Sequence, residues 1–424
     1  MSVTQQMPLP LRPARPWWPQ PRRDRFPGPR IPGLDAARGL AVLGMVIAHS
    51  VLTPVWGSGP TALLGFAHGR SGILFATVAG VSLAMISGGS RRVEGEDLLR
   101  ARTTILGRAV VLLLIAGVLS MIPTTIQVIL ASYAFWFVLS LPALRWRPRT
   151  LLVVACGLAL VGKLLVTGLP LWIPTWGYGS PDLGGNVVPT LLVTTVSPAL
   201  VWMAFVLAGM ALGRFGLDNT RALQGFLVAG LVLFAGFAAP FVVSAGSPAP
   251  LFADVQRAAT STTGIDQTTD PATGIDWQQA LWSFEPASGT AFEVFSSGGL
   301  ALAAISGLVL LGRLPWSRWV LLPLTGVGSM ALTAYVVHVV VLTDAQPDGL
   351  LADGGVGGWL CLGLVVACGA WSQVFVSGPL EQLTGAIADR LAGYPTLLFS
   401  QAVDQHGAAP QADLAGPDAS RPGQ

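Results

Sequence analysis

The sequence predicts an all-α protein: a polytopic bundle of about ten transmembrane helices with both termini in the cytoplasm. Three observations lead to this fold class. Of the 424 residues, 52% are hydrophobic and only 11% are charged, whereas soluble domains carry about 25% charged residues. Apolar runs long enough to cross a bilayer recur along the chain. Arginines collect in alternate connections between these runs.

The apolar runs define the predicted helices and the domain boundaries. We predict spanning helices over residues 34–55, 61–87, 104–122, 126–144, 150–170, 188–213, 222–245, 291–312, 318–343 and 356–378. A basic tail (1–32) precedes the membrane domain (33–392), and a polar tail (393–424) follows it. Both tails have the composition of disordered segments. The longest connection, 246–290, is predicted to be an outer loop.

The positions of the arginines give the bundle a direction. With the N-terminal tail in the cytoplasm, the predicted cytoplasmic loops contain Arg91, Arg92, Arg100, Arg102, Arg145, Arg147, Arg149, Arg214, Arg221, Arg313 and Arg318. The outer loops contain mostly acidic residues, as the positive-inside rule requires. We therefore expect a multi-pass protein of the plasma membrane whose partner is the lipid bilayer. We interpret the basic N-terminal tail as a topology signal and expect no nucleic-acid partner.

Ionisable residues inside a membrane are costly, so each one requires an explanation. Asp35 and Arg38 lie three residues apart at the cytoplasmic end of the first helix and can form an ion pair. His49 follows Arg38 by eleven residues, which places it on nearly the same face, roughly 16 Å along the helix. One face of the first helix therefore carries a guanidinium toward the cytoplasmic side and an imidazole toward the outer side.

A second group of polar residues is predicted near the outer face. His68 and Arg70 lie at the start of the second helix, and the short first loop predicts that His49 and His68 are close. Glu293, at the start of the eighth helix, could orient an imidazole. Tyr335 and His338 lie three residues apart on one face of the ninth helix.

The remaining motifs exclude several classes of protein. The sequence has no phosphate-binding loop, no serine nucleophile elbow and no paired carboxylates of a glycosidase. Because no third ligand accompanies His49 and His68, we expect no metal site. The three cysteines lie in apolar runs without metal or disulfide spacing. The polar inventory centres on histidine, which can act as a general base near neutral pH.

Several strings resemble a known group of membrane enzymes. LDAARGLAVLGMVIAH has the arginine, ten residues and histidine that open the acyltransferase type 3 pattern, and GSMALTAYVVH resembles its late helix. The strings GRSGILFATVAGVSLAM, VILASYAFWFVLSLPALR and EPASGTAFEVFSSGGLALA follow in a similar order. The chain thus resembles the YeiB-like bacterial membrane proteins and the catalytic domain of heparan-α-glucosaminide N-acetyltransferase. Where relatives often read PHSGT, this chain has Ala287 in place of the histidine.

The resemblance implies that residues 33–392 form a membrane acyltransferase domain. An acyl group would move from cytoplasmic acyl-CoA, such as acetyl-CoA, to a sugar or glycolipid acceptor of the cell envelope at the outer face. No permanently bound cofactor is implied. The catalytic candidates are His49 and His68. The substrate-binding candidates are Asp35, Arg38, Arg70, Glu293, Tyr335 and His338.

Two other functions stay open at this point. The chain could be a transporter or lipid flippase in which buried His and Arg residues relay protons. It could also be a non-catalytic membrane protein of the same family. The sequence leaves a homodimer open as an assembly.

Overall fold

The computed structural model describes most of the predicted membrane domain. The described residues are 17, 31–50, 65–91, 93–123, 126, 128–178, 186–194, 197–245, 281–284, 288–345 and 355–391. Nearly all of the two predicted tails, and most of the predicted outer loop 246–290, lie outside the described residues. The described residues are helical apart from their short connections, which confirms the all-α prediction for this part of the chain.

The described part of the chain forms twelve helices of ten or more residues, α1 to α12 in chain order. They are α1 (Pro32–Ser50), α2 (Arg70–Ile86), α3 (Gly95–Ser120), α4 (Leu130–Leu139), α5 (Pro148–Trp172), α6 (Ala199–Phe215), α7 (Thr220–Ala245), α8 (Ala291–Leu311), α9 (Ser317–Gly328), α10 (Ala331–Ala345), α11 (Gly355–Val374) and α12 (379–391). Short helical turns over Pro142–Arg145 and Pro174–Trp176, and a helical segment over 187–194, occupy some of the connections.

Five of the described helices are long and apolar enough to cross a membrane by themselves: α3, α5, α7, α8 and α11. The bent pair α9–α10 would be a sixth span, whereas α2, α4 and α6 are apolar but shorter. The recurrent apolar helices predicted from the sequence are therefore present. The count of ten spans and the cytoplasmic placement of both termini stay predictions.

Several observed helices have other bounds than predicted: α2 begins at Arg70 rather than at 61, α3 begins at Gly95 rather than at 104, and α4 spans only Leu130–Leu139. Two further predicted helices differ in ways that have a physical reason. The helix predicted over 188–213 begins only at Ala199, because Pro198 lacks a backbone N–H and takes an extended conformation as the N-cap residue of α6. The helix predicted over 318–343 is broken into α9 and α10, whose axes differ by 66°. Such a break leaves backbone N–H groups that need new acceptors. The acceptor at this break comes from α12 and is described below.

Helix α1 lies among the helices that build the candidate site, and it packs against α2, α8, α9, α10 and α11. Glycines make this close packing possible. A Cβ atom at Gly33 would collide with the backbone of α8, and one at Gly39 would collide with the carbonyl oxygen of Leu324 on α9. Gly80 and Gly209 allow the same approach between α2 and α6. Small residues at helix contacts are typical of membrane bundles, where backbones approach closely.

One buried arginine ties three connections together. The Arg214 side chain, at the end of α6, is only 5% exposed. Its Nη1 atom donates to the carbonyl oxygens of Ser87, Gly89 and Arg91 at 2.8–3.1 Å. Its Nη2 atom donates to Ser87 Oγ and to the carbonyl oxygen of Leu144. The sequence predicted Arg214 only as a cytoplasmic charge, and the structure gives it a packing role that joins loops predicted to be on one side.

Candidate functional site

Three histidines come together at the C-terminal end of α1. His49 Nδ1 lies 3.1 Å from His338 Nε2, and the two rings are stacked with centroids 5.4 Å apart. His338 lies on α10 and is fully buried. His68 lies in the turn before α2, where its ring interacts with the backbone of Ala48 and with the His49 ring. The predicted proximity of His49 and His68 is therefore seen, together with a third imidazole.

The direction of the His49–His338 hydrogen bond depends on the tautomers of the two rings. A neutral imidazole has one donor nitrogen and one acceptor nitrogen, so either ring can donate in this contact. When His49 Nδ1 is the donor, His338 Nε2 is the acceptor. This tautomer leaves the Nε2 lone pair of His49 available to take a proton.

Tyr335 supports the ring of His338. The Tyr335 ring packs edge-on against the His338 ring at a centroid distance of 4.9 Å. Its hydroxyl accepts the backbone N–H of Ile129, 3.1 Å away, just before α4. Tyr335 and His338 are both fully buried. The predicted substrate-binding role of Tyr335 stays a prediction, because its hydroxyl accepts a backbone N–H but can still donate a hydrogen bond. Its contacts are those of a residue that orients His338.

Arg70 and Glu293 lie in one electrostatic cluster. Arg70 begins α2, is 7% exposed, and lies over the Phe66 ring at 4.5 Å. Glu293, in the first turn of α8, accepts the backbone N–H of Gly289 at 2.7 Å. Glu293 interacts electrostatically with Arg70 and with Lys163 on α5. The contacts of Glu293 thus include these two cations, the Gly289 backbone and the Ser288 hydroxyl, and its predicted role of orienting an imidazole stays a prediction.

Asp35 and Arg38 lie at the opposite end of α1, as predicted. Arg38 Nη1 donates to Asp35 Oδ1 at 2.6 Å, which confirms the expected pair. Arg38 Nη2 donates to Ser82 Oγ on α2 at 2.9 Å. The Arg38 side chain remains 27% exposed, so it is partly open to its surroundings. About 16 Å of helix separate Arg38 from His49.

The arrangement therefore has two poles. One pole offers a partly exposed guanidinium that can hold a phosphate or another anion. The other offers an imidazole base whose second nitrogen is held by another imidazole. In the described part of the chain, no three His, Cys, Asp or Glu side chains are placed to hold a metal ion.

Sequence reasoning missed the contribution of two residues to these poles. Ser82 completes the hydrogen bonds of Arg38, but a serine within an apolar run carries no distinguishing local signal. Tyr133 lies next to Tyr335 and is 3% exposed. Its position in the ASYAFWF string of α4 reads as ordinary aromatic packing. Only the packing of α4 near α10 shows that Tyr133 belongs to the surroundings of the site.

Apolar helices that bury ionisable side chains and imidazoles define a multi-pass membrane protein. Comparison with known families gives its group. Residues 30–236 match the model of the heparan-α-glucosaminide N-acetyltransferase catalytic domain. Residues 271–389 match a family described as a protein of unknown function, DUF418, which is YeiB-like. These two matches agree with the resemblance to the YeiB-like and heparan-α-glucosaminide N-acetyltransferase-like membrane proteins. No individual curated protein matched the chain.

The residues of the candidate site lie in both of the segments that match a family model. His49, His68, Arg38 and Asp35 lie in the first matched segment, and His338 lies in the second. The hydrogen bond between His49 and His338 therefore joins the two matched segments.

Proposed function

We propose that the protein is a membrane acyltransferase of the plasma membrane. It would move an acetyl-like group from cytoplasmic acyl-CoA to a sugar or glycolipid acceptor at the outer face. The observation that carries this proposal is the 3.1 Å contact between His49 and His338, with His68 beside it, at the far end of the helix that bears Arg38. The match to an N-acetyltransferase catalytic domain supports the same reaction class.

The donor enters from the pole of Arg38. A guanidinium binds phosphate oxygens with charge-assisted hydrogen bonds, and the partly exposed Arg38 has donors for the phosphates of CoA. Asp35 and Ser82 fix the orientation of this guanidinium through their hydrogen bonds to Nη1 and Nη2. The pantetheine arm extends away from those phosphates. It therefore carries the thioester along the roughly 16 Å of α1 toward His49.

His49 acts as the general base at the other pole. Its Nε2 atom takes the proton of an acceptor hydroxyl or amine, and the freed oxygen or nitrogen attacks the thioester carbonyl carbon. The tetrahedral intermediate then breaks its C–S bond, and the protonated His49 returns the proton to the CoA thiolate. The products are the acylated acceptor and free CoA. His338 holds His49 Nδ1 throughout and stabilises the imidazolium while it exists.

The acceptor binds to the residues around the outer end of α1. Arg70 and Glu293 are buried, oppositely charged and electrostatically coupled. They offer hydrogen-bond donors and an acceptor to the hydroxyls of a sugar. His68 interacts electrostatically with His49, so it is the second candidate to contact the acceptor.

Two contacts support the proposed orientation in the membrane. The guanidinium of Arg390 on α12 lies over the ring of Trp17 at 3.6 Å, so one residue near each terminus lies close to the other. Arg214 joins loops that the positive-inside rule assigns to the cytoplasm. Together these contacts agree with two cytoplasmic termini.

The test uses purified full-length protein in detergent or nanodiscs with labelled acetyl-CoA. Both thiol release and label transfer to a mixture of envelope sugars and glycolipids are measured. We expect His49→Ala to lose about 10²- to 10⁴-fold in turnover, the usual contribution of a general base. His406→Ala, in the predicted C-terminal tail, is the control and keeps wild-type turnover.

The same experiment separates the alternatives. Full turnover by His49→Ala would contradict the assignment of the base. Wild-type protein that releases no thiol but moves protons together with a lipid or solute would be a transporter. Absence of both activities, with no effect of His49→Ala on a cellular phenotype, would identify a non-catalytic family member.

A further inference from the structure

The break between α9 and α10 lies directly before the residues that support His49. The two helices meet at an angle of 66°, and α10 begins at Ala331. Tyr335 and His338 then follow on the first two turns of α10. A short helix moves as a rigid unit, so a shift of its first turn moves both rings relative to His49.

A carboxylate from α12 holds this first turn. Glu381 Oε1 accepts the backbone N–H groups of Leu332 at 2.7 Å and Thr333 at 3.0 Å. Glu381 Oε2 accepts the hydroxyl of Thr333 at 2.6 Å, and the same hydroxyl oxygen accepts the backbone N–H of Leu380 at 3.2 Å. Glu381 therefore does for α10 what an N-cap residue does for its own helix.

The segment before α12 is shaped to fit this contact. A Cβ atom at Gly378 would collide with Glu381 Oε2 and crowd Thr333 Oγ1. Burial raises the pKa of the Glu381 carboxyl, although hydrogen bonds from Thr333 and Leu332 oppose the shift. A buried carboxyl group is costly unless its hydrogen bonds are satisfied, and here the start of α10 supplies them.

We propose that Glu381 is a positioning residue for the acyl-transfer site. By capping α10 from α12, Glu381 fixes the position of α10 along its axis and its rotation about that axis. Both determine where Tyr335 and His338 lie relative to His49. This inference rests on the proposed function for its effect on turnover. Its geometric part, the coupling of Glu381 to the His49–His338 pair, can be measured without any activity.

The test compares Glu381→Ala and Glu381→Gln with wild type. Glutamine keeps a side-chain oxygen for the two backbone N–H groups, whereas alanine removes every acceptor. Thr384→Ala on the same helix is the matched control, because within the described residues the Thr384 hydroxyl donates to backbone carbonyls of α12 and not to α10. We expect Glu381→Ala to lower turnover by about 10- to 100-fold, the scale of a misplacement of about 1 Å. The KM for acetyl-CoA should stay within about twofold.

The second measurement is the ¹⁵N chemical shift of ring-labelled histidines. A variant that only lowers stability would leave these shifts unchanged. The chain has four histidines, so ¹⁵N spectra of the purified protein contain few signals. We expect Glu381→Ala to shift the ring nitrogen signals of His49 and His338, and Glu381→Gln and Thr384→Ala to leave them in place. If Glu381→Ala does not fold, Thr333→Val serves instead, because it deletes only the hydroxyl between Glu381 and Leu380.

The outcomes separate this inference from the proposed function. If the wild type has no acyltransferase activity but Glu381→Ala still shifts both signals, the proposed function fails and the positioning role stands. If Glu381→Ala lowers only the thermal stability, with both signals and turnover unchanged, the positioning role is overturned. Equal effects of Glu381→Ala and Thr384→Ala would also overturn it.

Discussion

Replacing His338 by leucine removes the hydrogen-bond partner of His49 Nδ1, and in the proposed reaction the protonated His49 donates to that partner. The contact measures 3.1 Å and lies where His338 is fully buried. During the proposed reaction His49 becomes positively charged, and a hydrogen bond to a charged group contributes about 1.5–3 kcal/mol. Since about 1.4 kcal/mol corresponds to tenfold in rate, His338→Leu should lower turnover by about 10- to 160-fold. Leucine is apolar and suits the buried position, so the fold should survive.

The assay follows thiol release from acetyl-CoA by purified protein, with thermal unfolding as a check on the fold. His338→Gln is the matched variant, because its side-chain oxygen can accept the hydrogen bond from His49 Nδ1. It should recover part of the lost turnover. The reasoning would be refuted if His338→Leu kept turnover within about twofold of wild type while His49→Ala abolished it, because His49 would then need no support from His338.

Two further predictions concern the other end of α1 and the packing of the loops. Arg38→Ala should raise the KM for acetyl-CoA by about tenfold or more with little change in turnover, since it removes a phosphate ligand far from the reacting atoms. Steady-state kinetics check this, and an unchanged KM would contradict it. Arg214→Met should lower the free energy of unfolding by about 3–5 kcal/mol, because it deletes five hydrogen bonds of a buried guanidinium. Chemical unfolding in detergent measures the loss, and the exposed Arg221→Met should show none.

The sequence predicted those parts of the site that depend on local spacing. Asp35 and Arg38 pair because residues three apart share a helix face. His49 and His68 were expected to be close because the first loop was predicted to be short, whereas α1 ends at Ser50 and α2 begins only at Arg70. The contact of His49 with His338 joins residues 289 positions apart, and it depends on how α1 packs near α10. No local pattern contains that information.

The fold, too, was predicted only where it depends on local sequence. Apolar runs predicted where the helices lie, because burial in lipid requires length and hydrophobicity. They did not predict the break between α9 and α10, because it depends on an acceptor from α12 that lies 48 residues or more away. Glu381 follows the last predicted span and reads as an ordinary surface residue of an amphipathic helix. Its burial against Thr333 becomes visible only in three dimensions.

The glycine contacts of α1 bear on how a group can cross the bundle. Gly39 meets the carbonyl oxygen of Leu324, and Gly328 meets that of Asp35, so α1 and α9 are interlocked backbone to backbone. This close packing disfavours a rocking mechanism that would separate the two helices. In the proposed reaction, the wall formed by α1 and α9 would stay in place, and the acyl group on its flexible pantetheine arm would travel along it.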